Sequence, residues 1–264
     1  SDYSSTTELL DSIEDLGERM SEEGTVLLKN ENNALPLSKD ETQKLSLLGF
    51  SSYYPVQGGD MGSSLNENKG TDADTVDFVE ALNAKGFGIN EDLQKLYKSL
   101  EADFKTEVNM WGNIMEYYHI TAPATDGVFA SKEPSQEKMD SVDDKWKDSM
   151  DDYNVMLVTI GRSSTENGTY LPGVDGDASQ DLNQTDPLGL SDDERDLINA
   201  AVEAKENNGG KVIVMLNNAN AMEIDEIKNN DGVDAIMEIG FPGGYGFYGV
   251  ADILSGEANP SGHL

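Results

Sequence analysis

Ser191-Asp192-Asp193-Glu194, then Asn207-Asn208-Gly209-Gly210, then Lys211-Val212-Ile213-Val214-Met215-Leu216 form the stretch that decides the fold class. Ser191 followed three residues later by Glu194 is a capping box. Asp192 and Asp193 add acid to the first turn, where the helix dipole favours it. The Asn-Asn-Gly-Gly run stops the helix, and an apolar run of strand length follows at once. Val212–Leu216 has no polar face, so it reads as a strand buried on both sides, as in a parallel sheet.

The same kind of run recurs on either side. Val155–Ile160 and Ala235–Ile239 are short, rich in β-branched residues and bounded by turn residues. Leu45–Phe50 is a further strand, and Phe87–Ile89 is a weaker one. Between them lie stripes at helical spacing: Leu9, Leu10, Ile13, Leu16 and Met20; Val76, Val79 and Leu82, stopped by Gly86; Leu93, Leu96, Tyr97, Leu100 and Phe104; and Met139, Val142, Trp146 and Met150. Strand–helix–strand repetition implies right-handed crossovers and a mostly parallel sheet flanked by helices on both faces. Segments 51–70 and 163–190 fit no element, and each follows the C-terminal end of a strand. Open α/β sheets carry their ligand sites there. Segment 107–134 is also irregular and is left unassigned.

Composition narrows the function classes. With 264 residues the chain can bury a real core. It carries 18 Lys and Arg against 51 Asp and Glu, a formal net charge of −33. Such a surface repels phosphate backbones and anionic lipid, so nucleic-acid and membrane partners are not expected. Neutral sugars meet no such barrier. The absence of cysteine removes disulfides, thiolate metal sites and cysteine nucleophiles, and leaves the compartment open between secreted and cytoplasmic. His119 and His263 are the only histidines, which leaves little for a triad or a zinc site.

Several motifs follow in order. Glu22-Glu23-Gly24-Thr25-Val26-Leu27-Leu28-Lys29-Asn30 precedes Leu35-Pro36-Leu37. Gly49-Phe50 precedes Gly58-Gly59-Asp60-Met61-Gly62-Ser63-Ser64. Ile160-Gly161-Arg162-Ser163-Ser164-Thr165-Glu166 comes next. Phe241-Pro242-Gly243-Gly244, Ala251-Asp252-Ile253-Leu254-Ser255-Gly256 and Asn259-Pro260-Ser261-Gly262 close the chain. This ordered set resembles the C-terminal-type sandwich domain of glycoside hydrolase family 3. The resemblance implies a single three-layer (α/β)6-type sandwich over 1–264. It implies that the family's (β/α)8 barrel, with the nucleophilic aspartate, lies before Ser1 or after Leu264, because members of either domain order exist. The expected activity is that of an exo-acting retaining β-glycosidase, most simply a β-glucosidase, with a β-glycoside as substrate and no cofactor. This chain alone is expected to be inactive.

Retaining glycosidases use two carboxyl groups about 5–5.5 Å apart, one attacking the anomeric carbon and one handling the proton. The resemblance makes Glu166 the general acid/base. Its pKa must rise for that task, by burial or beside the nucleophile's charge, and both need the barrel. The family usually has Gly before this Glu, whereas Thr165 stands here. Gly58, Gly59 and Asp60 are expected in the sugar site, because Gly allows close backbone approach. Arg162 is a candidate to orient a carboxylate or a sugar hydroxyl; the plainer reading is an ion pair. Trp111, Tyr117, Tyr118 and Phe129 are candidates to stack on a sugar face; the plainer reading is that they are packing residues.

Other chemistries fit less well. The glycine loop is neither G-x-G-x-x-G nor G-x-x-x-x-G-K-[ST], which argues against a nucleotide site. Asp175-Gly176-Asp177-Ala178-Ser179-Gln180-Asp181 with Asp186 partly mimics a calcium loop, but Gln180 stands where Gly is required; no metal site is expected. The competing class is a non-catalytic carbohydrate-binding or interaction module of the same fold.

Overall fold

The computed structural model describes residues 3–38, 44–58, 75–110, 112–117, 133–162 and 188–264. The order is α1 (Thr6–Gly24), β1 (Val26–Asn30), β2 (Lys44–Leu48), α2 (Phe50–Tyr53), α3 (Phe78–Ala84), β3 (Gly88–Ile89), α4 (Glu91–Ser99), α5 (Glu101–Phe104), β4 (Thr106–Met110), β5 (Asn113–Tyr117), α6 (Gln136–Val142), β6 (Val155–Gly161), α7 (Asp192–Asn208), β7 (Lys211–Asn217), α8 (Asp225–Lys228), β8 (Ala235–Glu238) and α9 (Phe247–Ser255).

The main sheet has six strands in the order β1-β8-β7-β6-β2-β3. All neighbours are parallel except β1, which pairs antiparallel with β8 at the edge. β6 and β7 are buried along nearly their whole length, which is why their sequences show no alternation. Helices α1, α9 and α3 pack together, and α4, α6 and α7 form the other layer. The core runs through both layers, with Phe78 and Phe247 5.4 Å apart on one side and Trp146 fully buried among the residues after α6.

Several boundaries differ from the sequence reading. The expected strand Leu45–Phe50 stops at Leu48, because Gly49 takes φ 95° and Phe50 opens α2. A Cβ at Gly49 would stand 2.3 Å from the Thr159 carbonyl oxygen, so only Gly lets β2 end this close to β6. The stripe Met139–Met150 is not one helix: α6 ends at Val142, and Trp146 and Met150 reach the core from the turns beyond. Segment 107–134 contributes the hairpin β4–β5, turned at Gly112 with φ 87°. No helix among the described residues is long and apolar enough to cross a membrane.

Candidate functional site at the switch point of the sheet

β2 is followed by α2 and α3 and leads outward to β3, whereas β6 is followed by α7 and leads the opposite way to β7. The chain therefore reverses direction between β2 and β6. A crevice opens at such a switch point beyond the C-terminal ends of the strands, and α/β sheets bind ligands there. Ser46, Leu47 and Leu48 pair in parallel with Met156, Leu157 and Val158, so both strands end on the same side. Gly58 lies in the segment after α2, and Arg162 immediately follows β6.

Asn217, the last residue of β7, knots this edge together. It is fully buried. Its Oδ1 accepts from Val56 N at 2.7 Å, and its Nδ2 donates to the carbonyls of Val56 (2.9 Å) and Gly240 (2.8 Å). Its own carbonyl accepts from Arg162 N at 3.1 Å. Through its side-chain amide and its main-chain carbonyl, Asn217 thus joins the end of β7 to the segments after β2, β6 and β8. Gly243 N then donates to Gln57 O at 2.7 Å, which ties the Phe241–Tyr245 turn to the segment reaching Gly58.

Arg162 is only 1% exposed. Its Nη1 donates to Glu194 Oε1 and the Gly161 carbonyl, and its Nη2 to Glu194 Oε2 and the Gly189 carbonyl. Both Nη groups are thus engaged within the domain, and these described contacts fit the plainer ion-pair reading. Of the other expected site residues, Gly58 is described; Gly59, Asp60 and Glu166 lie outside the described residues. The acids Asp175, Asp177, Asp181 and Asp186, His119, and the aromatics Trp111, Tyr118 and Phe129 lie outside them too.

Two carboxyl groups at this edge had no signal in the sequence. Glu133 accepts from Phe50 N at 2.8 Å and from the Tyr97 hydroxyl at 3.0 Å. Burial pushes its carboxyl up to about 8, against the pull of these donors and helped by Glu194 and Asp193. Glu238, ending β8, is raised to about 7 by burial, against donors from Gly240 and Asn218. It faces a cleft of about 450 Å³ shared with Asn218, Met222 and His263. Both groups can hold a proton near neutral pH. Elsewhere, among the described residues, Glu18, Glu22 and Asp252 bring carboxyl oxygens within 4.8 Å of one another. Lys85 already serves that cluster, 2.8 Å from both Glu18 and Asp252.

Residues 25–264 match the family described as the glycosyl hydrolase family 3 C-terminal domain. The chain belongs to that family. Among solved structures it is similar to β-glucosidase 3B from Thermotoga neapolitana in complex with α-D-glucose, with a TM-score of 0.71 and 26% identity over 98% of this chain and 31% of that one. A β-glucosidase from Paenibacillus barengoltzii shares the fold, with a TM-score of 0.64 and 21% identity over 94% of this chain. Beta-glucosidase 2 of Saccharomycopsis fibuligera is 24% identical over 256 residues, which are 96% of this chain and 24% of that protein. This family 3 domain thus spans 23% to 31% of the length of these relatives.

Proposed function

We propose that this domain is one part of an exo-acting, retaining β-glycosidase, acting on terminal β-D-glucosyl or similar residues. Glu166 supplies the general acid/base. A (β/α)8 barrel in the same protein supplies the nucleophile and most of the sugar contacts. Gly58, Gly59 and Asp60 border the sugar site. Arg162 acts one step back: locked to Glu194, it fixes the point from which the segment carrying Glu166 departs.

One observation carries this reading. β2 and β6 are adjacent and parallel, so the segments leading to Gly58 and Glu166 start from the same side of the sheet, at its switch point. Membership of the glycosyl hydrolase family 3 C-terminal domain family supports the choice of chemistry. Protonation of the leaving oxygen by Glu166 and later activation of water by its carboxylate need no cofactor.

The test is hydrolysis of an aryl β-glucoside by three proteins: the 264-residue chain, the longer protein containing it, and that longer protein with Glu166→Gln. The expected result is activity in the second alone, with the substituted protein down by about 100-fold or more. Undiminished activity after Glu166→Gln removes the acid/base assignment. Full activity from the 264 residues removes the divided site.

A further inference from the structure

Helix α1 is turned inside out. Its sequence stripe leads one to expect Leu9, Leu10, Ile13, Leu16 and Met20 to face the core. They face outward instead, with exposures of 39%, 52%, 45%, 52% and 65%. The side laid on the domain carries Glu14, Gly17, Glu18, Ser21 and Glu22. Glu18 meets Lys85 in an ion pair, and Gly17 lies against Tyr245. The outward stripe continues into a cleft of about 590 Å³ lined by Ile13, Leu16, Met20, Phe241, Pro242 and Tyr245. A contiguous apolar surface of this kind, with polar neighbours, marks an interaction face.

The structure assigns this face an occupant: we infer that the α1 stripe and the Phe241–Tyr245 turn dock the second domain of the same protein, through an apolar surface rimmed by Lys and Arg. The inference rests on the divided site proposed above. Three features point to that occupant. The exposed acids beside the stripe are Glu8, Asp11, Asp15 and Glu23. Arg19, the single base of the helix, is itself paired with Glu23 at 3.6 Å. A second copy would set two such rims and two chains of net charge −33 against each other, and anionic lipid is repelled likewise. The Phe241–Tyr245 turn is tied through Gly243 and Gln57 to the segment reaching Gly58, so a body seated on the stripe also overhangs the crevice. Finally, this chain covers only 31% of the similar Thermotoga neapolitana chain, so a protein of that length has a body large enough to cover both.

Met20 is the built-in reporter, because an exposed thioether is oxidised by hydrogen peroxide far faster than a covered one. Peptide mass spectrometry follows its oxidation in the 264-residue chain and in monomeric longer protein. The expected result is oxidation at least about tenfold slower in the longer protein, with Leu10→Asp/Leu16→Asp restoring the fast rate at unchanged circular dichroism. Equal rates in the two wild-type proteins overturn the inference. So does a 264-residue chain that sediments as a dimer with slow Met20 oxidation and becomes monomeric on Leu10→Asp/Leu16→Asp, since a second copy then holds the face. Slow Met20 oxidation combined with hydrolysis unaffected by Glu166→Gln removes the catalytic assignment and leaves the docking face standing. Hydrolysis that needs Glu166 combined with fast Met20 oxidation does the reverse.

Discussion

The guanidinium of Arg162 and the carboxylate of Glu194 meet as a buried bidentate pair, Nη1 to Oε1 at 2.5 Å and Nη2 to Oε2 at 2.8 Å. Glu194 also completes the capping box by accepting from Ser191 N at 2.9 Å. The pair therefore clamps the end of β6 to the start of α7 on either side of the segment that carries Glu166. Arg162→Met leaves a buried carboxylate without its cation and is expected to cost about 3–5 kcal/mol, read from urea unfolding. Arg162→Lys keeps the charge but loses the fork and recovers only part of this. A loss below about 1 kcal/mol for Arg162→Met would show that the clamp is not tight.

Asn217→Ala removes the amide that joins Val56 and Gly240 to β7. Val56 N and two carbonyls are then left without that partner at a buried edge. The expected loss is about 2–3 kcal/mol, with hydrogen exchange at the Val56 amide accelerated beyond the global change. Exchange at Val56 that merely follows global stability would mean the knot is not local.

Stability should fall as pH rises. Glu133 and Glu238 have folded values of about 8 and about 7 against an ordinary 4.5. Between these limits the folded chain binds more protons than the unfolded one. The stabilisation of the neutral forms is full below 4.5 and is lost as pH climbs through about 7 and then about 8. Repulsion among 51 acids acts in the same direction, so the wild type is compared with Glu133→Gln. The variant should lose the part of the slope nearest pH 8. Identical slopes in the two proteins would remove Glu133 as its source.

Legibility in the sequence followed burial geometry. β6 and β7 were readable because strands covered on both faces need continuous apolar runs. β1 was not: it is an edge strand, half covered along Val26–Lys29, and the antiparallel pairing with β8 joins residues far apart in sequence. Periodicity located the apolar stripe of α1 but carried no sign for its direction, and the stripe faces outward. The end of β6 stood out in the sequence only because a long segment that fits no element, 163–190, follows the strand. Arg162 had its partner 32 residues away, and Glu133 owes its raised pKa to burial in the folded chain, against the donors Phe50 N and Tyr97 hydroxyl. Neither spacing is periodic, so neither could be read before folding. The hairpin β4–β5 was missed because only β4 alternates, through Glu107-Val108-Asn109-Met110, whereas Ile114-Met115 in β5 breaks the pattern.

The most direct measurement compares leaving groups in the longer protein, wild type against Glu166→Gln. A general acid matters most when the departing oxygen is strongly basic. The account predicts that kcat/KM falls by about 100- to 10,000-fold for an alkyl β-glucoside and far less for the 2,4-dinitrophenyl β-glucoside, whose phenolate leaves without a proton. Equal losses on both substrates, or none on either, would contradict proton transfer from Glu166.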